Sequence, residues 1–172
     1  MPASDDVVLS TDLAIVGAGP CGLAVAIAAK RAGMSAVLFD RGPIVSGIAS
    51  YPTFMTFFST AERISIGGVP FIIPTEKPTR RDALAYYRGV ASYFELDRAA
   101  VDARQFTTVD ALVPMTKVSG SGAEARWGVH AGTRAGHKLF CSAQAVVVAT
   151  GYFGRPNLLK VPGESLPHVR HG

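Results

Sequence analysis

The chain has 172 residues, 48% of them hydrophobic and 17% charged, with a formal net charge of +4. That is enough for one domain with a substantial core. No Lys/Arg run exceeds a pair, as at Arg80-Arg81, so the electrostatic footprint of a nucleic-acid binder is missing. The start, Met1-Pro-Ala-Ser-Asp-Asp6, is acidic where a secretory leader is basic. Residues 13–29 are uncharged but interrupted by Gly17, Gly19, Pro20 and Gly22, which suits a strand-turn-helix better than a membrane span. Two cysteines, 120 positions apart, form neither a metal pattern nor a disulfide framework, so a reducing cytoplasm is the expected setting.

The first predicted elements carry the strongest signal. Leu13-Ala-Ile-Val16 reads as a strand, Gly17-Ala-Gly-Pro-Cys-Gly22 as a glycine turn, and Leu23-Ala-Val-Ala-Ile-Ala-Ala29 as a small-residue helix. A second apolar run, Ala36-Val-Leu-Phe39, ends in Asp40, 18 residues past Gly22. This is the strand–turn–helix–strand–acid pattern of a dinucleotide-binding βαβ unit. Gly17 permits the tight turn, Gly19 admits a pyrophosphate against the backbone, and Gly22 lets the helix lie close to the sheet. The free N–H groups and positive end of the helix then face the phosphates.

Residues 42–78 are apolar yet broken by Pro43, Pro52, Pro70, Pro74, Pro78 and Gly67-Gly68, so long regular elements are not expected there. Tyr51, Phe54, Phe57, Phe58 and Phe71 call for burial, either in simple core packing or over a flat aromatic ligand. Thr79 with Asp82 forms a capping-box pattern, and Leu84, Tyr87, Ala91 and Phe94 follow helical spacing, predicting a helix from Arg80 to Phe94. Its arginines, Arg80, Arg81 and Arg88, are expected on a solvated face.

The period then becomes strand-like. Thr107–Val113, Arg126–Ala131 and Lys138–Ser142 read as three strands of a meander, joined through Ser119-Gly-Ser-Gly122 and residues 132–136. A plain NAD-binding Rossmann domain keeps alternating strand and helix, so a meander points to flavoproteins with two dinucleotide-binding domains. Gln144-Ala-Val-Val-Val-Ala-Thr-Gly151 follows as an apolar parallel strand, expected to be buried on both faces and to end in Ala149-Thr150-Gly151, where ligands bind in such sheets. The fold class expected is α/β, a Rossmann-like FAD-binding domain with a parallel sheet and an inserted β-meander.

The segments GAGPCG, FDRG, YPTFMTFFSTAERISIGGVPF, KPTRRDALAYY and VVVATGYFGRPNLLKVPG occur in this order. Together they resemble the bacillithiol-disulfide reductases, flavoproteins related to thioredoxin reductase, from about Thr11 to His171. The FFST-to-YY portion is the specific part; the glycine motif and ATG are shared by many FAD enzymes. The resemblance implies FAD in this domain, NADPH bound in a second domain, and reduction of a low-molecular-weight thiol disulfide. Carried over by position, it implies that Gly17, Gly19 and Gly22, with Pro20 and Cys21 in the same turn, cradle the FAD pyrophosphate. Asp40 then accepts hydrogen bonds from the adenosine ribose, beside Arg41 and Gly42. Ala149, Thr150 and Gly151 line the far side of the cofactor, and the loop with Pro52, Met55, Ser59 and Thr60 approaches the flavin. Val109 is assigned a backbone contact to adenine. A carboxylate at 40 also disfavours a 2′-phosphate, and hence NADPH, at this first site.

The resemblance gives Cys21 a redox role. A thiol in the first turn of a helix lies at the positive end of the dipole, a setting that favours attack on a disulfide. Against this, the position needs only a small residue, and cysteine packs as a small hydrophobe. Cys141 is expected to be a packing residue, and the absence of CxxC or CxxxxC rules out a flavin-side dithiol of the glutathione-reductase kind. His130 and His137 are expected at the surface; His168 and His171 match a histidine-containing stretch of the family with no role assigned. No metal site, nucleic-acid partner or membrane partner is expected, and a homo-oligomer is left open.

No second GxGxxG follows Gly151. Residues 1–172 are therefore expected to be the amino-terminal portion of an FAD/NAD(P)-binding domain, without the NADPH domain and the last part of the FAD domain. The competing readings are a flavin-containing monooxygenase relative, which also has ATG and a proline-rich exit, a non-catalytic remnant, and a self-contained NAD dehydrogenase. The last lacks a catalytic pattern and a substrate domain.

Overall fold

The computed structural model describes residues 7–96, 100–115, 126–153 and 157–169. In chain order the elements are β1 (Val7–Val16), α1 (Pro20–Arg31), β2 (Ala36–Phe39), α2 (Ser46–Ala49), a 3-10 turn (Glu62–Ile64), α3 (Arg80–Tyr93), β3 (Val101–Arg104), β4 (Thr107–Pro114), β5 (Trp127–Thr133) and β6 (Lys138–Val148). The six strands form one mixed sheet in the order β3-β2-β1-β6-β5-β4. β3, β2, β1 and β6 run parallel, and β6, β5 and β4 form the antiparallel meander. The α/β fold with an inserted meander is as expected from the sequence.

Strand alternation sorts the core. Leu13, Ile15, Ala36, Leu38 and Val101 face one side, where they meet Leu23, Ala26 and Ile27 of α1 and Ala83, Tyr87 and Val90 of α3. Ala14, Val37 and Phe39 face the other side, where Val129 and Ala131 of β5 and Leu139, Cys141 and Ala143 of β6 cover them. The meander thus curls over the face that the helices leave free. Backbone bonds close the curl: the Thr107 N–H donates to the Asp40 carbonyl at 2.8 Å and that of Phe106 to the Gly42 carbonyl at 3.3 Å.

Several expectations need correction. β3 was not anticipated; its four residues, Val-Asp-Ala-Arg, are too few to show a period, and they form a strand because β2 offers a parallel edge. Lys138–Ser142 and Gln144–Val148 are not two strands but one, β6, whose first half pairs with both β5 and β1. Its second half is not buried on both faces. β5 pairs no further than Ala143, so among the described residues Gln144–Val148 has only β1 beside it, and Val148 is 61% exposed. Within the irregular 42–78 segment, Phe71 is buried and Tyr51 and Phe57 are half-buried, but Phe54 and Phe58 are exposed. The turn at 119–122 and His171 lie outside the described residues.

The predicted helix is observed as α3, with the Thr79 cap and its reciprocal Asp82 bonds both formed. Asp82 Oδ2 accepts the Thr79 N–H at 2.9 Å and its hydroxyl at 2.6 Å. These bonds to Thr79 hold the Asp82 carboxyl below its ordinary value of 3.8. A depressed carboxyl stabilises the fold above its unfolded pKa, and that stabilisation is lost as pH falls through the folded value. Thr79→Ala is expected to cost about 1 kcal/mol at neutral pH. In urea denaturation from pH 7 downwards, the gap to wild type should narrow below pH 3.8.

Arg80 is not on a solvated face, unlike exposed Arg81 and Arg88. Its guanidinium donates to the Ile48 carbonyl at 3.3 Å and the Ala49 carbonyl at 2.5 Å, satisfying the C-terminal end of α2. Tyr86 and Tyr87 hold the preceding loop through the carbonyls of Val69, at 2.7 Å, and Ile64, at 2.8 Å. Burial raises the Tyr87 phenol well above its ordinary pKa.

Candidate functional site

The site is built at the carboxyl ends of β1, β2 and β6. β1 feeds the glycine turn, whose first backbone groups lock into the sheet: the Gly17 N–H donates to the Phe39 carbonyl at 2.7 Å, and the Ala149 N–H to the Val16 carbonyl at 2.7 Å. Gly17 and Ala149, distant in sequence, are thereby brought side by side.

The three glycines meet different surroundings. Gly17 has φ +111°, and a Cβ there would lie 2.3 Å from the Ala149 carbonyl oxygen. A Cβ on Gly22 would lie 1.8 Å from the Gly17 carbonyl oxygen. A Cβ on Gly19 would meet nothing within 4 Å. Two positions are glycine because the protein is packed against them, and the third faces open space. Around that space the N–H groups of Gly19, Cys21 and Gly22 have no acceptor among the described residues, and α1 has no side-chain N-cap. Pro20 at the start of α1 has no N–H to satisfy, and Lys30 and Arg31 complement the other end of the dipole.

Asp40 closes the opposite wall. Its Oδ2 accepts the Ala18 N–H at 2.7 Å, while Oδ1 accepts the Gly42 N–H at 2.8 Å and the Ser46 hydroxyl at 3.0 Å. A carboxylate has about four acceptor positions, so one is left for an incoming hydroxyl. Arg41 is exposed beside it. Ala18, Val45 and Ser46 escaped the sequence reading; the only trace was a short polar side chain six positions after the acid, too weak a signal on its own.

Cys21 sits in the first turn of α1 and is exposed. Cys141 is fully buried on β6, and burial pushes its thiol up to about 11, in keeping with a packing role. His130, His137 and His168 are exposed, and no His/Cys/Asp/Glu cluster able to hold a metal occurs among the described residues.

The loop carrying Pro52, Met55, Ser59 and Thr60 is tied to the start of α3: the Arg80 N–H donates to the Met55 carbonyl at 2.9 Å and the Phe57 N–H to that of Pro78 at 2.9 Å. Met55, Ser59 and Thr60 are half-buried and Pro52 is exposed. Tyr51 meets Phe57 at 6.1 Å and Phe153 edge-on at 5.5 Å between ring centroids, which joins this loop to the segment after Gly151. Thr150 and Gly151 are exposed, with Gly151 at φ +83°. Val109 lies on β4 opposite Ala131, its side chain against the second core.

Residues 14–122 match the family described as pyridine nucleotide-disulphide oxidoreductase. The chain is 36% identical over 160 residues to bacilliredoxin reductase Bdr of Bacillus subtilis (strain 168), covering 91% of this chain and 43% of that protein. The solved structure of bacillithiol disulfide reductase Bdr from Bacillus cereus superposes with a TM-score of 0.76 at 39% identity, over 92% of this chain and 45% of that one. Flavin-containing monooxygenase FMO GS-OX1 of Arabidopsis thaliana is 26% identical over 95% of this chain and 40% of its own length. The chain therefore spans less than half the length of the relatives it matches.

Proposed function

The chain belongs to the pyridine nucleotide-disulphide oxidoreductase family, and from that premise we propose that it is the FAD-binding part of an oxidoreductase passing electrons from NADPH to a low-molecular-weight thiol disulfide of the bacillithiol-disulfide kind. The observation that carries the reading is the unlike setting of the glycines: Gly17 and Gly22 closed by backbone, Gly19 open towards unpaired N–H groups. A pyrophosphate is the chemistry that such a cradle accepts.

In this reading the N–H groups of Gly19, Cys21 and Gly22 hold the pyrophosphate, and the remaining acceptor position of Asp40 takes a ribose hydroxyl. Thr150 and Gly151 border the cofactor at the end of β6, and the loop of Pro52, Met55, Ser59 and Thr60 borders the flavin. Arg41, Gly42 and the Val109 backbone flank the adenosine end. Bound FAD supplies two-electron chemistry between a nicotinamide and a disulfide. Cys21 is the thiol offered to the substrate. NADPH is assigned to a region beyond these residues, in a protein of the length of the relatives, and a cytoplasmic location goes with a thiol-disulfide substrate. No described helix is long and apolar enough to cross a membrane.

The monooxygenase reading is weaker because the relative of that kind is 26% identical against 36% for the disulfide-reductase relative. The test is the flavin itself. The purified chain, reconstituted with FAD and freed of excess, should be yellow and release about one FAD per chain on heat denaturation. A soluble, colourless chain that retains no FAD would overturn the proposal.

A further inference from the structure

Ala18, between the first two glycines of the turn, is held at both of its backbone groups. Its N–H donates to Asp40 Oδ2 at 2.7 Å, and its carbonyl accepts the Val45 N–H at 3.0 Å. Both partners come from the turn after β2. That turn is itself tightly set. Asp40 Oδ1 accepts from the Gly42 N–H and the Ser46 hydroxyl, and Val45, a β-branched residue with no exposed surface, takes the left-handed conformation at φ 57°, ψ 32°. A buried valine there is strained and persists only where its surroundings over-determine it. Gly42 matches this packing, since a Cβ on it would fall 2.7 Å from Ser46 Cβ. Further out, Arg80 ties down the last carbonyls of α2, the element that begins with Ser46.

We propose that Ser46 is a positioning residue for the nucleotide: it orients the Asp40 carboxylate so that the turn after β2 clamps Ala18 and presets the pyrophosphate cradle before any ligand arrives. The proposal rests on the FAD reading above. Preset donors bind without the cost of ordering the loop. Without the Ser46 hydroxyl the carboxylate keeps Gly42 on Oδ1 but loses one of its three hydrogen bonds, and the Ala18 N–H on Oδ2 loses alignment.

Ser46→Ala should weaken FAD and ADP binding by the full chain roughly tenfold, the weight of one hydrogen bond to a charged acceptor. Ser46→Thr, which keeps the hydroxyl, should recover most of the loss. The same variants carry a readout that needs no ligand: in the free protein, amide exchange at Ala18 should be faster in Ser46→Ala and normal in Ser46→Thr. Unchanged FAD and ADP affinity in Ser46→Ala, or unchanged Ala18 exchange, would overturn the clamp. A wild-type chain that binds neither FAD nor ADP would overturn the flavin reading and with it the nucleotide role of Ser46. Accelerated Ala18 exchange in Ser46→Ala would then mark the flavin reading, not the clamp geometry, as the failed step.

Discussion

Gly22→Ala is expected to destabilise the β1–α1–β2 unit severely, whereas Gly19→Ala is expected to leave the fold intact and weaken FAD binding about a hundredfold. The two substitutions add the same methyl group three residues apart. At Gly22 the methyl carbon would lie 1.8 Å from the Gly17 carbonyl oxygen, a backbone atom that cannot swing away. Gly17 in turn is fixed by its bond to the Phe39 carbonyl and by the approach of Ala149. Relief requires α1 to move off the sheet, which opens the packing of Leu23, Ala26 and Ile27. The cost is at least about 3 kcal/mol, at the upper end of overpacking effects, out of a total stability of about 5–15 kcal/mol. Thermal denaturation should show a midpoint lower by about 10 °C or no cooperative transition.

At Gly19 the backbone is extended, φ −78° and ψ −176°, and nothing lies within 4 Å of the added carbon. The midpoint should stay within about 2 °C. If the pyrophosphate sits there as proposed, the methyl group takes its space, and FAD affinity should fall by about a hundredfold, or ~2.8 kcal/mol. Equal thermal midpoints for Gly22→Ala and wild type would show that the helix adapts. Unchanged FAD affinity in Gly19→Ala would place the phosphates elsewhere.

The glycines also mark how far the sequence could be read. Gly17, Gly22 and Asp40 were legible because each leaves a local mark: the positive φ of a tight turn, a helix laid on a strand, and an acid at the end of β2; the close approach of Ala149 to Gly17 was not among them. Helix α3 was legible for the same reason, with both Thr79 and Asp82 within one turn. The misses are non-local. β3 exists because β2 leaves an edge for it, and no property of Val-Asp-Ala-Arg announces that. The fusion of two expected strands into β6 depends on β1 running beside the whole of it, from Val7 opposite Leu139 to Val16 opposite Val148. Arg80 looked like a surface charge until the fold placed the end of α2 against it. Within the site, the acid was found but its partners were not. That Asp40 spends its oxygens on Ala18, Gly42 and Ser46 follows from a turn whose shape is set by the buried, left-handed Val45.

Replacing Cys21 by serine or alanine should leave FAD content and thermal midpoint unchanged while removing disulfide reduction. Cys21 is exposed, so little packing is forfeited when its side chain is replaced by one of similar or smaller size. Its N–H, the proposed pyrophosphate donor, is retained in both variants. What is lost is the one thiol at the positive end of α1; the other cysteine, Cys141, is fully buried and its thiol is pushed up to about 11, which keeps it protonated and shielded from substrate. The measurement uses the FAD-loaded chain, reduced anaerobically by dithionite, freed of excess reductant and mixed with bacillithiol disulfide. Two electrons convert one disulfide into two thiols, so wild type should release two thiols for each flavin reoxidised. The Cys21 variants should reoxidise at least about a hundredfold more slowly, ~2.8 kcal/mol in activation free energy. Equal rates in wild type and variants would reduce Cys21 to the small residue that a tight turn requires.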